Sequence, residues 1–174
     1  EHLGWTGPFV MAAINTRVVR RSHALMGLPY GSDFRYSEVM STGKGPKGFT
    51  RAAALAGGIG AFVAGIALPL TRPILVNRLP SPGEGPTPEQ RKRGRYEIHH
   101  VAIANGQVLR GRVADNRDPG YGSTAVMLAE AALCLALEGE QLDTEGGIRT
   151  PAATMGMRLV ERLRKAGLTL AVES

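Results

Sequence analysis

A tyrosine between two glycines stands just ahead of a long apolar run, in Asp118-Pro119-Gly120-Tyr121-Gly122-Ser123-Thr124. Tyr121 offers a phenolic proton and Asp118 a carboxylate three residues away, so the pair could serve acid–base chemistry. The flanking glycines let the backbone approach a ligand closely. Ser123 or Thr124 can cap the helix that follows, and the first amides of such a helix can receive an anion such as a cofactor phosphate. A helix cap with a packing tyrosine is the competing reading, and both stay open at this point. Arg17, Arg20 and Arg21 lie at i, i+3 and i+4 and share one helical face. That face can grip the phosphate of a cofactor or carrier, with Arg17 and Arg20 as the candidates, or it is simply solvated.

Other chemistries fail on their spacing. Gly43 and Gly48 have the outer spacing of a P-loop, but Phe49 stands where lysine is required. Gly58 and Gly60 begin a G-x-G-x-x-G stretch, but Val63 occupies its third glycine position. A complete dinucleotide-binding loop is therefore absent from these residues. His99 and His100 are neighbours on an expected strand, so they face opposite sides and cannot share an ion. The single Cys134 provides neither a thiolate cluster nor an internal disulfide. No metal site is expected. The run Arg91-Lys92-Arg93-Gly94-Arg95 has only Tyr96 as an adjoining aromatic, which reads as a basic linker and not as a nucleic-acid surface.

These side chains need elements to hold them, and the composition supplies the material. The 174 residues are 43% hydrophobic and 21% charged, ordinary values for a globular chain. The net charge of +6 attracts nucleic acid, acidic lipid headgroups, phosphorylated cofactors and acidic carrier proteins alike. Glu1 stands first, with no charged-then-apolar leader ahead of the body, so a piece of a longer chain is expected. Helical spacing predicts a helix over 8–26, and alternation predicts a strand over 34–41. A Gly/Lys loop over 42–48 precedes the uncharged segment 52–70, which Arg51 and Arg72 bracket. Its Ala53, Gly57, Ala61 and Gly65 make a ridge of near-bare backbone suited to close helix packing, and its length nearly matches a bilayer crossing. Packing against protein, contact with membrane or lipid, and the wall of an apolar substrate tunnel are its three readings.

Residues 80–88 form a rigid polar connector. Segments 95–104 and 107–114 flank Asn105-Gly106, a strong type I′ hairpin signal. A buried helix is expected to about Glu138, then a helix from Thr150 and Pro151 to Lys165, closed by Gly167, and a last strand over 168–172. The expected fold is α/β of the α+β kind, a mostly antiparallel sheet covered by helices.

Several blocks resemble a known family. Asp118 to Thr124, then Gly146-Gly147-Ile148-Arg149-Thr150-Pro151-Ala152, then Leu159-Val160-Glu161-Arg162-Leu163 resemble the saccharopine dehydrogenase-like oxidoreductases. Gly7-Pro8-Phe9 through Arg20-Arg21, with Phe34-Arg35-Tyr36-Ser37-Glu38, looks like the actinobacterial branch of trans-acting enoyl reductases. The resemblance implies that residues 1–174 are a C-terminal substrate or catalytic domain, preceded by a Rossmann domain that holds NADP or NAD. It implies reduction of a double bond on an acyl or polyketide intermediate held by a synthase or acyl carrier. It assigns no residues in this half, so Asp118 and Tyr121 stand as catalytic candidates, and Arg17, Arg20, Ser123 and Thr124 as cofactor candidates. A homodimer and a cytoplasmic, membrane-associated location are compatible expectations. The rival is a non-catalytic membrane- or partner-binding module using 52–70 and the basic runs.

Because these residues hold no phosphate-cradling loop, residues 1–174 alone should not bind NADPH in calorimetry. Micromolar affinity would mean that the cofactor site lies within them.

Overall fold

The chain divides into two units, Glu1–Glu84 and Gly85–Ser174, and the break falls inside the connector 80–88. The computed structural model describes residues 4–81, 83–142 and 146–173. The architecture is α+β, with two small antiparallel sheets.

In the first unit, β1 (Trp5–Pro8) pairs antiparallel with β2 (Val39–Gly43), and α1 (Ala12–Leu25) lies between them in sequence. The strand expected over 34–41 begins late. Phe34, Tyr36 and Glu38 do turn inward while Arg35 and Ser37 are exposed, but the ladder starts only where Val39 meets Pro8. Side-chain alternation over 34–38 is thus real without a hydrogen-bonded neighbour. Asn15 Nδ2 donates to Glu38 Oε2 at 2.8 Å and Tyr36 Oη donates to Oε1 at 2.6 Å, clasping this stretch to α1. Burial, then the Glu38 bond and charge, push the Tyr36 phenol up to about 12. The strands therefore form two separate sheets where one was expected.

Helix α2 (Gly45–Ala67) starts seven residues before the expected 52, with Pro46 in its first turn. Its first third packs on the β1–β2 pair. Gly48 and Ala52 are buried, Phe49 meets Trp5 edge-on at 4.8 Å, and Leu55 lies on Gly7. A Cβ on Gly48 would stand 2.6 Å from the Gly43 carbonyl carbon. Beyond Leu55 the helix is bare: Gly57, Gly58 and Gly60 have open space where a Cβ would go. The short α3 (Arg72–Val76) reaches the expected small-residue ridge at Gly65, through Leu75. Ala53, Gly57 and Ala61 are exposed, so the ridge is covered only at that end.

In the second unit, the basic run forms the last turn of α4 (Pro88–Arg93), whose start carries a Thr87/Gln90 capping box. Helical C-terminal carbonyls favour these cations, which is why a stretch read as linker is helical. The hairpin β3 (Tyr96–Ala104) and β4 (Gln107–Asp115) turns at Asn105 and Gly106, with φ of 51° and 76°, as the dipeptide predicts. β5 (Thr169–Glu173) adds antiparallel to β4, giving the order β3-β4-β5. Helices α5 (Gly122–Glu138) and α6 (Pro151–Lys165) pack on each other. Thr150 Oγ1 accepts from the Ala153 amide and Gly167 closes α6 at φ +94°, both as expected. Helix α6 kinks at Gly156, whose φ of 49° and ψ of −130° suit only glycine.

The expectation that α5 is buried fails. Leu128 is 71% exposed and Leu137 68%, because α6 covers only the stripe that contains Cys134.

The two glycines of α2 predict opposite outcomes. Gly48→Ala should destabilise the first unit by about 1–3 kcal/mol, as overpacking does. Gly57→Ala, in open space, should stabilise it by up to about 1 kcal/mol through helix propensity. Urea unfolding with unchanged slopes would read both. Equal midpoints for the two variants would contradict the packing described.

Candidate functional site

The loop that carries Asp118 and Tyr121 joins β4 to α5, and a buried carboxylate at the strand's end organises it. Asp115 is buried, and Arg117 Nε donates to its two oxygens at 2.9 and 2.8 Å while the Arg117 amide donates at 3.2 Å. Ser123 also donates to this carboxylate. The Tyr96 phenol and Ser123 Oγ share a further hydrogen bond at 2.9 Å. Arg117 Nη2 reaches on to the Ala166 carbonyl at 3.1 Å. Burial pushes Asp115 up, but the bonds from Arg117 and Ser123 outweigh it, and the carboxyl is held below its ordinary value.

Asp118 is engaged in the opposite sense from a proton donor. Its side chain accepts from the amides of Gly120 at 3.3 Å, Tyr121 at 2.7 Å and Gly122 at 3.0 Å. These bonds, the largest from Gly122, hold the carboxyl below the usual range against some burial, and Arg91 adds a smaller attraction. The Ser123 amide goes to the Asp118 carbonyl at 2.8 Å. The N-terminus of α5 thus carries its own anion, and Asp118 provides the cap expected from Ser123 or Thr124. Ser123 is fully buried in the Asp115 network, and Thr124 Oγ1 donates to the Pro119 carbonyl at 2.7 Å.

Two glycines press on this loop. A Cβ on Gly94 would stand 2.5 Å from the Asp118 Cβ, and one on Gly85 would stand 2.9 Å from the Tyr121 phenol oxygen. Tyr121 remains 51% exposed. Its backbone is fixed on both sides, the amide by Asp118 and the carbonyl by the Ala125 amide at 2.8 Å. The structure therefore brings Asp118, Tyr121, Ser123 and Thr124 into one helix start with different tasks: Asp118 accepts, Ser123 and Thr124 bond internally, and Tyr121 presents its phenol. Arg17 and Arg20 belong to the first unit and are exposed on α1.

Asp115 and Arg117 were missed in the sequence. Their signal was an Asp-x-Arg at the end of a hairpin strand, directly before a helix-start loop, but a carboxylate there is ordinarily solvated. Glu130, the one charge inside α5, is met by Arg162 Nη2 at 2.9 Å, and Arg162 Nη1 also holds Glu138 at 2.7 Å. This clasp joins α5 to α6 beside a pocket of about 290 Å³. Glu97 pairs with His99 at 3.2 Å and with Arg112 at 3.4 Å, and Arg112 reaches Glu173 at 3.3 Å. His99 thus lies beside a ladder of Glu97, Arg112 and Glu173 across the sheet.

No protein-family profile matches the chain, and no solved structure is recognisably similar to it. Individual relatives are. A Mycobacterium tuberculosis protein provisionally named a trans-acting enoyl reductase is 43% identical over 171 residues, covering 95% of this chain and 41% of its own length. A trans-acting enoyl reductase of Mycobacterium ulcerans is 40% identical over 173 residues, covering 95% of this chain and 40% of its own length. One of Mycobacterium bovis is 41% identical over 171 residues, with 95% and 40% covered. The chain spans about two fifths of the length of the curated relatives it matches.

Removing the Asp115 carboxylate should cost unit 2 about 3 kcal/mol in Asp115→Ala. This is the lower end for a broken buried pair, because Arg117 keeps 34% of its side chain in water. Asp115 and Asp118 both have lowered native values, so their stabilisation is complete above an unfolded value of about 4. It is lost as pH falls through the native values. Unfolding midpoints across acid pH should fall more gently in Asp115→Ala than in the wild type. Parallel curves would exclude Asp115 as a source of acid sensitivity.

Proposed function

We propose that this chain is the substrate-side part of an NAD(P)-dependent enoyl reductase acting on an acyl or polyketide intermediate. The observation that carries the reading is 40–43% identity, over 95% of the chain, to proteins named trans-acting enoyl reductases. In this proposal the nicotinamide cofactor is held mainly by a Rossmann domain in the part of the protein that these residues do not span, in keeping with a saccharopine dehydrogenase-like ancestry. The broken G-x-G-x-x-G at Val63 supports that division. The exposed Leu128 face of α5 is a natural seat for that part, since burying apolar surface drives domain association.

When bound, a nicotinamide cofactor would supply hydride for the β-carbon of an enoyl thioester. The double-bond electrons move onto the thioester oxygen as an enolate, whose oxygen needs a hydrogen-bond donor and whose α-carbon needs a proton. Asp118 is an ionised acceptor already filled by three amides, so it positions the loop. Tyr121 has the proton to offer. Its exposed phenol, on a backbone fixed at both ends, suits donation to the enolate. Ser123 and Thr124 are occupied within the unit, so Arg17 and Arg20 are the better candidates for a phosphate of the cofactor or an acyl carrier.

In the full-length protein, Tyr121→Phe should lower kcat for NADPH-dependent reduction of an enoyl thioester by roughly 10²-fold or more, with KM and circular dichroism nearly unchanged. Full activity in Tyr121→Phe would assign the ring to packing. Failure of the wild-type protein to oxidise NADPH with any carrier-bound enoyl thioester would overturn the reading itself.

A further inference from the structure

The stretch from Leu55 to Leu79 is an apolar helical hairpin that the first unit does not cover. Beyond Leu55, α2 has open space at Gly57, Gly58 and Gly60. Phe62, Val63, Leu68, Leu70, Ile74 and Val76 are all exposed, and Leu70, at the turn between α2 and α3, is 85% exposed. A turn facing water is ordinarily polar; this one reads Leu68-Pro69-Leu70. A helix apolar on all sides belongs in a protein core or in lipid.

Much of the turn's backbone is satisfied from within. The Leu68 amide bonds the Ala64 carbonyl at 3.2 Å, and the Thr71 and Arg72 amides bond the Leu68 carbonyl at 3.3 and 3.0 Å. Thr71 Oγ1 lies 2.5 Å from the Gly65 carbonyl, and Pro69 has no amide to satisfy. These bonds lower the cost of moving the turn out of water.

Charge selects the occupant. From Val39 to Gly83 the sequence contains no Asp or Glu, but it carries Lys44, Lys47, Arg51, Arg72 and Arg78. The first unit as a whole has nine Lys and Arg against four Asp and Glu, so it holds nearly all of the net charge of +6. A second copy would set one cationic rim against another, which is repulsive. An anionic bilayer offers phosphates to the cations and acyl chains to the hairpin. We propose that the hairpin 56–79 is an interfacial anchor for an anionic lipid bilayer. Its Leu68–Leu70 turn enters the acyl boundary, and Arg72 and Arg78 reach the lipid phosphates. This proposal is independent of the reductase reading and uses none of the residues that reading assigns.

The test is sedimentation of the full-length protein with vesicles of phosphatidylcholine alone and of phosphatidylcholine with phosphatidylserine. Binding is expected to the anionic vesicles and to weaken with salt. Leu70→Glu, at a position too exposed to affect folding, should reduce the partition at least tenfold. Arg72→Gln and Arg78→Gln should each reduce it about fivefold, since a surface cation contributes about 1 kcal/mol at such membranes. Three outcomes overturn the proposal. One is no vesicle binding by the full-length protein, as when another part of the chain covers the hairpin. Another is salt-sensitive binding that ignores Leu70→Glu, which is adsorption by charge alone. The last is a vesicle-free dimer that Leu70→Glu dissociates, which makes the occupant a second copy.

Discussion

A carboxylate buried at the end of a strand must be satisfied, and the second unit is arranged around that demand. Asp115 loses water where β4 gives way to α5, and an unpaired charge there would cost several kcal/mol. Its partners come from each neighbouring element. Arg117 returns from the loop, Ser123 comes from the first turn of α5, and Tyr96 on β3 completes the Ser123 hydroxyl. The far end of Arg117 bonds the Ala166 carbonyl at the close of α6. One charge thus ties together the sheet, the start of one helix and the end of another. Tyr121 lies two residues from Ser123 and inherits its placement from this network.

The second demand is apolar surface. Helices α2 and α5 are apolar nearly all round, yet each is covered along only one side. On α5 the covered stripe is Glu130, Cys134 and Glu138, spaced at i, i+4 and i+8 toward Arg162. A fully buried cysteine between two paired carboxylates explains why its thiol is pushed up, chiefly by burial. It packs and does not react. The leucines face away, and hydrophobic periodicity alone could not say which side would be covered, since every side qualified.

What the sequence made legible was local. Asn105-Gly106 fixed a hairpin because both residues tolerate positive φ, and Thr150-Pro151 with Gly167 fixed both ends of α6. The short blocks that resemble trans-acting enoyl reductases were likewise legible, and relatives 40–43% identical to this chain carry that name. What escaped depended on tertiary neighbours. The four-residue β1 is too short to show a period, and without it the inward alternation of Phe34, Tyr36 and Glu38 looked like a strand. The cap of α5 came from Asp118, outside the helix, and not from the Ser and Thr inside its first turn. The Asp115–Arg117 pair looked like solvated polar sequence because nothing local states that its strand end is covered.

Charge placement draws these threads together. In the second unit acidic and basic residues are nearly balanced, and many are paired: Arg112 with Glu97 and Glu173, Arg162 with Glu130 and Glu138, and Arg117 with Asp115. At the Tyr121 loop the helix amides are already filled by Asp118. The unbalanced cations lie instead in the first unit, on α1 and around the bare hairpin. A phosphate drawn by the protein's net charge is therefore drawn to that unit. The proton donation proposed for Tyr121 would depend instead on a fixed backbone, which needs no net charge. The excess positive charge and the proposed proton donor thus fall in different units.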